Sequence, residues 1–264
     1  MSEMSERTRL EQQFHVMVSL EGDDADDLVE TTRRLRGMKN LEKADLLVAQ
    51  SFTGGNSLEF QELIKAMASL PHLRSLTIRS STSFRGGWVQ LPFSVLQTIV
   101  PKTSLKCLFL SFVDFVVTTK NKDDNCKCPV YGLVQLLSSQ QQDSNNHHHH
   151  HQPQHQLKEV RWNLGGCRKL SRKTQHAILN MLQHHNFTLE VFAFDEKTKR
   201  QIPTYKLQKI HFYLTLNQAG IRQRLMDPTA QPNQHDWEEA LIDNRLHSST
   251  VFYLLSNNPT LVCA

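Results

Sequence analysis

Residues 73–78 read LRSLTI, and residues 105–110 repeat the pattern as LKCLFL. Variants of the same phrase occur as LEKADL at 41–46, LKEVRW at 157–162 and LEVFAF at 189–194. The first leucines of the five copies are 32, 32, 52 and 32 residues apart, and the long step equals one period plus 20 inserted residues. A fixed period on this scale predicts a chain of stacked structural units.

Each unit is predicted to be a strand, a turn and a helix. The alternation of Leu76 and Ile78 with polar residues is typical of a strand with one buried face. The segment from Phe60 to Met67 has the spacing of a helix. Neither element buries its apolar face alone, so neighbouring units must pack together. A degenerate first copy spans 13–18 and is followed by a predicted helix at about 24–36.

The C-terminal part of the chain has a different pattern. A last copy, Leu207-x-x-Ile210-x-Phe212, begins only 18 residues after Leu189, and we interpret it as a hairpin that ends the regular array. Helical runs follow at 217–226, 236–246 and 249–255. The open end of a stacked array needs a terminal unit to cover it. We therefore divide the chain into a polar tail (1–11), an array (12–213) and a helical cap (214–264).

This phrase and its alternation of strand and helix resemble the leucine-rich-repeat family over residues 12–213. The nearest branch is the long-repeat, ribonuclease-inhibitor-like one. The residues around Trp237 and the segment 252–259 are similar to the terminal segment of many algal leucine-rich-repeat proteins. The resemblance implies an α/β fold, a solenoid with a curved parallel sheet inside and helices outside. It also implies a role in binding other proteins.

Composition narrows the class of partner and the cellular compartment. The 264 residues contain 30 Lys and Arg, 26 Asp and Glu and no basic stripe, which disfavours nucleic acid as the main partner. No apolar run reaches the ~20 residues of a membrane span. The polar start lacks the features of a signal peptide, and the five cysteines form no regular framework. We expect a cytoplasmic or nuclear protein with no membrane association, and the oligomeric state stays open.

The long step contains a Gln- and His-rich insertion at about 139–156. Its low apolar content predicts disorder, because nothing offsets the loss of chain entropy. Imidazole is a good ligand for transition metals, so the tract offers weak metal candidates: His147, His148, His149, His150, His151 and His155. We assign no metal site, since a specific site also needs fixed geometry.

The strand alternation predicts which side chains leave the core. If Leu76 and Ile78 point inward, Ser75, Thr77 and Arg79 point outward, and the same offset applies to the other copies. Phe109 is an aromatic residue of this surface and a candidate anchor, since aromatic and Arg side chains dominate binding hot spots. The predicted protein-binding residues are Asp45, Arg79, Phe109, Glu159, Arg161, Asp195, His211 and Tyr213.

The sequence contains none of the common catalytic or phosphate-binding motifs that we sought. We assign no catalytic residue and no cofactor, and we expect a non-catalytic scaffold or recognition module. Two alternatives stay open. A metal-binding protein would lose its function on deletion of 147–151, and a nucleic-acid-associated protein would bind with an affinity that falls steeply with salt.

Overall fold

A computed structural model of the protein describes residues 15–20, 25–49, 51–52, 54–81, 89–102, 104–116, 128–139, 157–164, 170–218, 220, 222, 234–243, 245 and 248–257. Within these residues six parallel strands form one sheet, and their order along the sheet follows their order along the chain. The strands are β1 (His15–Leu20), β2 (Lys43–Val48), β3 (Ser75–Ser80), β5 (Cys107–Ser111), β7 (Glu159–Asn163) and β8 (Val191–Phe194).

The repeated phrases pair with one another in register. Leu76 of β3 lies opposite Leu108 of β5, which lies opposite Val160 of β7. A second row joins equivalent positions two residues later across all six strands: Val18, Leu46, Ile78, Leu110, Trp162 and Phe194. Every member of both rows is buried. The prediction that successive units lie side by side around a shared apolar core is confirmed.

Among the described residues, five α-helices lie between strands along the chain and four follow β8. They are α1 (Ala25–Gly37), α2 (Leu58–Ser69), α3 (Ser94–Ile99), α4 (Pro129–Ser139), α5 (Arg172–Asn180), α6 (Glu196–Lys199), α7 (Thr204–Gln218), α8 (Gln234–Asp243) and α9 (Ser248–Asn257). Connections between neighbouring parallel strands are right-handed, so a sheet that follows chain order places its connecting helices on one face. The outward side chains of the opposite face are half-buried or exposed among the described residues.

The structure contains a second, two-stranded parallel sheet that the sequence analysis did not predict. Strand β4 (Val89–Pro92) pairs with β6 (Val113–Val116) beside the main sheet. The chain passes from β5 into β6 through Phe112, which has a φ of 55°, a left-handed conformation that is uncommon for a bulky residue. The Phe112 amide donates to the Asn163 carbonyl, and its own carbonyl accepts from the Val89 amide. This one residue therefore links the two sheets.

The predicted hairpin at the last phrase is wrong. Residues 204–218 form the helix α7, in which Ile210 is buried and Leu207 and Leu214 pack against the main core. These three apolar positions are three and four residues apart, which is the spacing of one helix face. The phrase Leu-x-x-Ile-x-Phe fits a strand and a helix equally well over its short length. The helix also crosses residue 213, where the sequence analysis placed a domain boundary.

The last helices build a separate small core. Leu216 of α7, Trp237 and Ala240 of α8 and Leu254 of α9 are buried together. The helical cap was predicted with nearly these bounds for α8 and α9. The structure is thus α/β, with a parallel sheet, helices and a helical C-terminal segment. None of the described helices is long and apolar enough to cross a membrane. The N-terminal tail and the inserted tract at 140–156 lie outside the described residues.

Candidate protein-binding surface

The open face is the side of the six-stranded sheet that faces away from the core. Its residues alternate with the buried ones, as the sequence predicted, and none of them is fully buried. The open face consists of Met17, Ser19, Lys43, Asp45, Leu47, Ser75, Thr77, Arg79, Cys107, Phe109, Ser111, Glu159, Arg161, Asn163, Val191 and Ala193.

The size of the open face bounds what it can bind. Strands ~4.8 Å apart and a rise of ~3.3 Å per residue give the six strands a surface of about 24 by 17 Å, or roughly 400 Å². A standard protein–protein interface covers about 800 Å² on each partner. A partner that docks here must therefore also contact the loops that flank the sheet.

An aromatic and arginine cluster occupies the C-terminal half of the open face. Phe109 and Arg161 lie opposite each other on β5 and β7, and the Arg161 guanidinium carbon is 5.8 Å from the centroid of the Phe109 ring. The Arg161 Nε atom also donates to the Glu159 carboxylate two residues earlier on the same strand. The ion pair and the ring both contact the guanidinium, so its position on the sheet is restrained from two sides.

Cys107 lies in the same cluster. Burial raises the pKa of its thiol, and the neighbouring Glu159 carboxylate raises it further by repelling the thiolate. The thiolate is the reactive form of cysteine, so this side chain is a poor nucleophile at neutral pH. Its role in the cluster is that of a small, weakly polar contact.

A second cluster occupies the N-terminal half. The Arg79 guanidinium on β3 is 3.9 Å from the Asp45 carboxylate on β2 and 3.9 Å from the Met17 sulfur on β1. Met17 is 61% exposed, which is high for a large apolar side chain. Each of the two clusters combines one carboxylate, one guanidinium and one apolar group, so neither carries a net charge.

Three of the predicted binding residues do not belong to the open face. Strand β8 ends at Phe194, and Asp195 instead caps α6. Its carboxylate accepts hydrogen bonds from the Leu164, Lys197 and Thr198 amides and from the Thr198 hydroxyl. Burial acts to raise the pKa of Asp195, but these hydrogen bonds hold it below its ordinary value. This carboxylate has a structural role in joining two units.

The other two misplaced residues are His211 and Tyr213. Both were predicted on an outward strand face, and both lie on α7, where successive side chains point in different directions. Tyr213 is half-buried against the core, and burial raises the pKa of its hydroxyl despite the nearby Arg222 guanidinium. His211 is exposed beside the Thr215 hydroxyl. The error has the same physical origin as the wrong hairpin.

Met17 is the open-face anchor that the sequence analysis missed. The signal was present, because the first copy of the phrase places Val16 and Val18 at the inward positions and Met17 between them. That copy is degenerate, and its outward residue was not assigned. Asp45, Arg79, Phe109, Glu159 and Arg161 do lie on the open face, as predicted.

The described residues contain no group of three or more His, Cys, Asp or Glu that could hold a metal ion. The weak metal candidates 147–151 and 155 all lie outside the described residues. No protein-family model matches the chain, and a comparison with curated proteins finds no relative.

Proposed function

We propose that this protein is a leucine-rich-repeat-like scaffold that binds another protein through its open face and acts without catalysis. The in-register pairing of units at a 32-residue period supports the repeat assignment. The observation that carries the function is the Phe109–Arg161 pair near the centre of a rigid, solvent-facing sheet. Aromatic and Arg side chains in such positions are the residue types that dominate binding energy.

The two clusters favour a protein as the partner. Each has an internally neutralised charge pair, so the open face lacks the strong positive potential that a polyphosphate requires. Apolar groups lie next to each pair, namely Met17 and Leu47 on one side and Phe109 on the other. A mixed surface of this kind matches the composition of ordinary protein interfaces.

The test compares the natural protein with a Phe109→Ala/Arg161→Ala variant in affinity purification from the native cell. The matched control is Leu58→Ala/Arg33→Ala, which removes an exposed apolar group and an exposed Arg from the helix side. A protein retained by the natural chain and the control, but lost with the open-face variant, is then purified. Its affinity is measured by titration calorimetry.

We expect the open-face variant to lose more than ~1 kcal/mol of binding free energy, roughly fivefold in Kd, with an unchanged circular dichroism spectrum. The control should bind within experimental error of the natural chain. Equal affinity of all three proteins for the purified partner would exclude the open face as the binding site.

A further inference from the structure

Residues 168–211 form one of the basic segments of this chain. Residues 168–211 contain nine Lys and Arg against three Asp and Glu, an excess of six, whereas the whole chain has a net charge of +4. The rest of the chain therefore carries a small excess of acid. The function proposed above makes no use of this segment.

The fold brings six of the described Lys and Arg residues of this segment to one place. The Leu170 amide donates to the Gln201 side-chain oxygen at 3.1 Å, and the Gln175 side-chain nitrogen donates to the Gln201 carbonyl at 3.3 Å. The Lys206 ammonium donates to the Gln175 side-chain oxygen at 3.1 Å. The start of α5, the turn after α6 and the start of α7 thus lie together, at the edge of the sheet where β7 and β8 end.

We call this surface the basic edge. It is formed by Arg172, Lys173, Lys197, Arg200, Lys206 and Lys209, of which all but the half-buried Lys206 are exposed. Tyr205, which is 58% exposed, lies among them, and the Lys173 ammonium is 5.0 Å from the ring centroid of Tyr131. The basic edge therefore combines cations with two aromatic rings.

The acids of this segment do not neutralise the basic edge. Glu190 pairs with Lys158 at 2.6 Å, Glu196 pairs with Lys199 at 2.7 Å, and Asp195 is occupied by capping α6. Arg172, Lys197, Arg200 and Lys209 form no ion pair with any other described residue. Cations in this arrangement are available to an outside anion.

The helix termini add to the same potential. Helices α5 and α7 begin at the basic edge, and neither has an acidic residue in its first turn. The first turn of α1 contains Asp26 and Asp27, and that of α2 contains Glu59. The N-terminal end of a helix is positive, so acids neutralise it in α1 and α2 while bases reinforce it in α5 and α7. The short helix α6 differs from α5 and α7, since Glu196 lies in its first turn.

We propose that the basic edge binds a short acidic segment of a protein partner. Guanidinium and ammonium groups form charge-assisted hydrogen bonds with carboxylates, and the Tyr205 ring offers an apolar contact beside them. The acidic first turns of α1 and α2 at the start of the array repel a polyanion that extends beyond the basic edge, which favours a short peptide over a nucleic acid. This surface is separate from the open face and does not depend on the function proposed for it.

The test uses fluorescence anisotropy of labelled octaglutamate at roughly 50 mM salt, where exposed charges are weakly screened. The variant Arg172→Glu/Arg200→Glu/Lys209→Glu alters the basic edge. The matched control, Lys39→Glu/Lys65→Glu/Arg74→Glu, changes the net charge by the same amount at exposed positions outside the basic edge and the open face. Labelled octauridylate is titrated in parallel to represent nucleic acid.

We expect the natural chain to bind octaglutamate saturably and more tightly than octauridylate. The basic-edge variant should weaken octaglutamate binding by about tenfold or more and the control by less than about threefold, because only the first removes the clustered charge. The proposal is overturned by an absence of saturable binding, by equal losses in the two variants, or by tighter, basic-edge-dependent binding of octauridylate. None of these outcomes involves Phe109 or Arg161, so the open-face proposal is tested separately.

Discussion

Arg222 is a buried charge that joins the C-terminal segment to the repeated units, and we predict that its replacement by Met lowers the free energy of unfolding. The side chain is fully buried. Its guanidinium donates to the Leu182 carbonyl, to the Gln183 carbonyl at 2.6 Å and to the Asn217 side-chain oxygen at 3.2 Å. Leu182 and Gln183 belong to a π-helical turn that continues α5. The carbonyls at the end of a helix lack intrahelical donors, and the Arg222 guanidinium supplies donors to two of them.

Two opposing effects decide the result of Arg222→Met. Hydrogen bonds from a charged donor contribute about 1.5–3 kcal/mol each, and a buried acceptor left without a donor costs about 1–3 kcal/mol. Removal of the charge also removes the desolvation penalty of the buried guanidinium, which is several kcal/mol. The same penalty lowers the pKa of Arg222. The lost hydrogen bonds and the removed desolvation penalty nearly cancel, except at the Leu182 carbonyl. The hydrogen bond of that carbonyl to Arg222 is buried, so it is left without a donor. Gln183 is exposed, so its carbonyl can bind water instead.

The loss of aromatic contacts also destabilises the Arg222→Met variant. The guanidinium carbon lies 4.4 Å from the Phe187 ring centroid and 5.1 Å from that of Tyr213. A Met side chain replaces part of these contacts through its sulfur. We expect Arg222→Met to lower the free energy of unfolding by about 2 kcal/mol. Arg222→Lys should cost more, about 3 kcal/mol, because the ammonium keeps the desolvation penalty and makes fewer hydrogen bonds.

Urea unfolding followed by circular dichroism measures both values. Hydrogen exchange resolved by peptide is needed as well, because a chain of repeated units can unfold from one end. Protection should fall first in 181–218 and be retained in 73–110. Arg200→Met, an exposed substitution, is the control and should change stability by less than about 0.5 kcal/mol. A neutral or stabilising Arg222→Met, or an Arg222→Lys that is the milder change, would refute this accounting.

Two further predictions concern single ionisable groups. Hydrogen bonds from Arg33 and Arg34 lower the pKa of Glu30 to about 2, so the stability it contributes is present above its ordinary pKa of 4.5 and is lost as pH falls from there toward 2. A carboxyl NMR titration should find this midpoint, and Arg33→Ala/Arg34→Ala should return it toward the ordinary pKa of 4.5, whereas an unchanged midpoint in the variant would contradict the assignment. Burial and the Glu159 carboxylate raise the pKa of Cys107, so its alkylation by iodoacetamide, followed by peptide mass spectrometry, should be slow at pH 8. Glu159→Gln should accelerate it, and a rate insensitive to this substitution would remove Glu159 as a cause.

The sequence predicted most of the main sheet because the same phrase occurs five times. One copy of Leu-x-x-Leu-x-Leu is compatible with a strand or a helix, but copies at a fixed period must occupy equivalent positions. The alternation within each copy then assigned Asp45, Arg79, Phe109 and Arg161 to the open face. The same reasoning failed at Leu207, where the phrase occurs outside the period and the three-and-four spacing of a helix prevails.

The second sheet and the Phe112 turn had no signal in the sequence. A left-handed φ is expected at Gly or Asn, and no pattern of apolar residues marks a large side chain that adopts it. The pairing of β4 with β6 also joins segments 24 residues apart whose local patterns are too short to specify a partner. Both features exist because Phe112 donates to Asn163 and accepts from Val89, which are contacts made only in the assembled fold.

The sequence by itself determined the period and the inward and outward sides of each repeated strand. These follow from spacing and composition, which are properties of the chain before it folds. Only the tertiary structure decided that Arg161 lies over Phe109, that Asp195 is a cap, and that scattered cations become one basic edge. Such relations depend on which segments are neighbours in space, and long-range packing of neighbouring units sets that proximity.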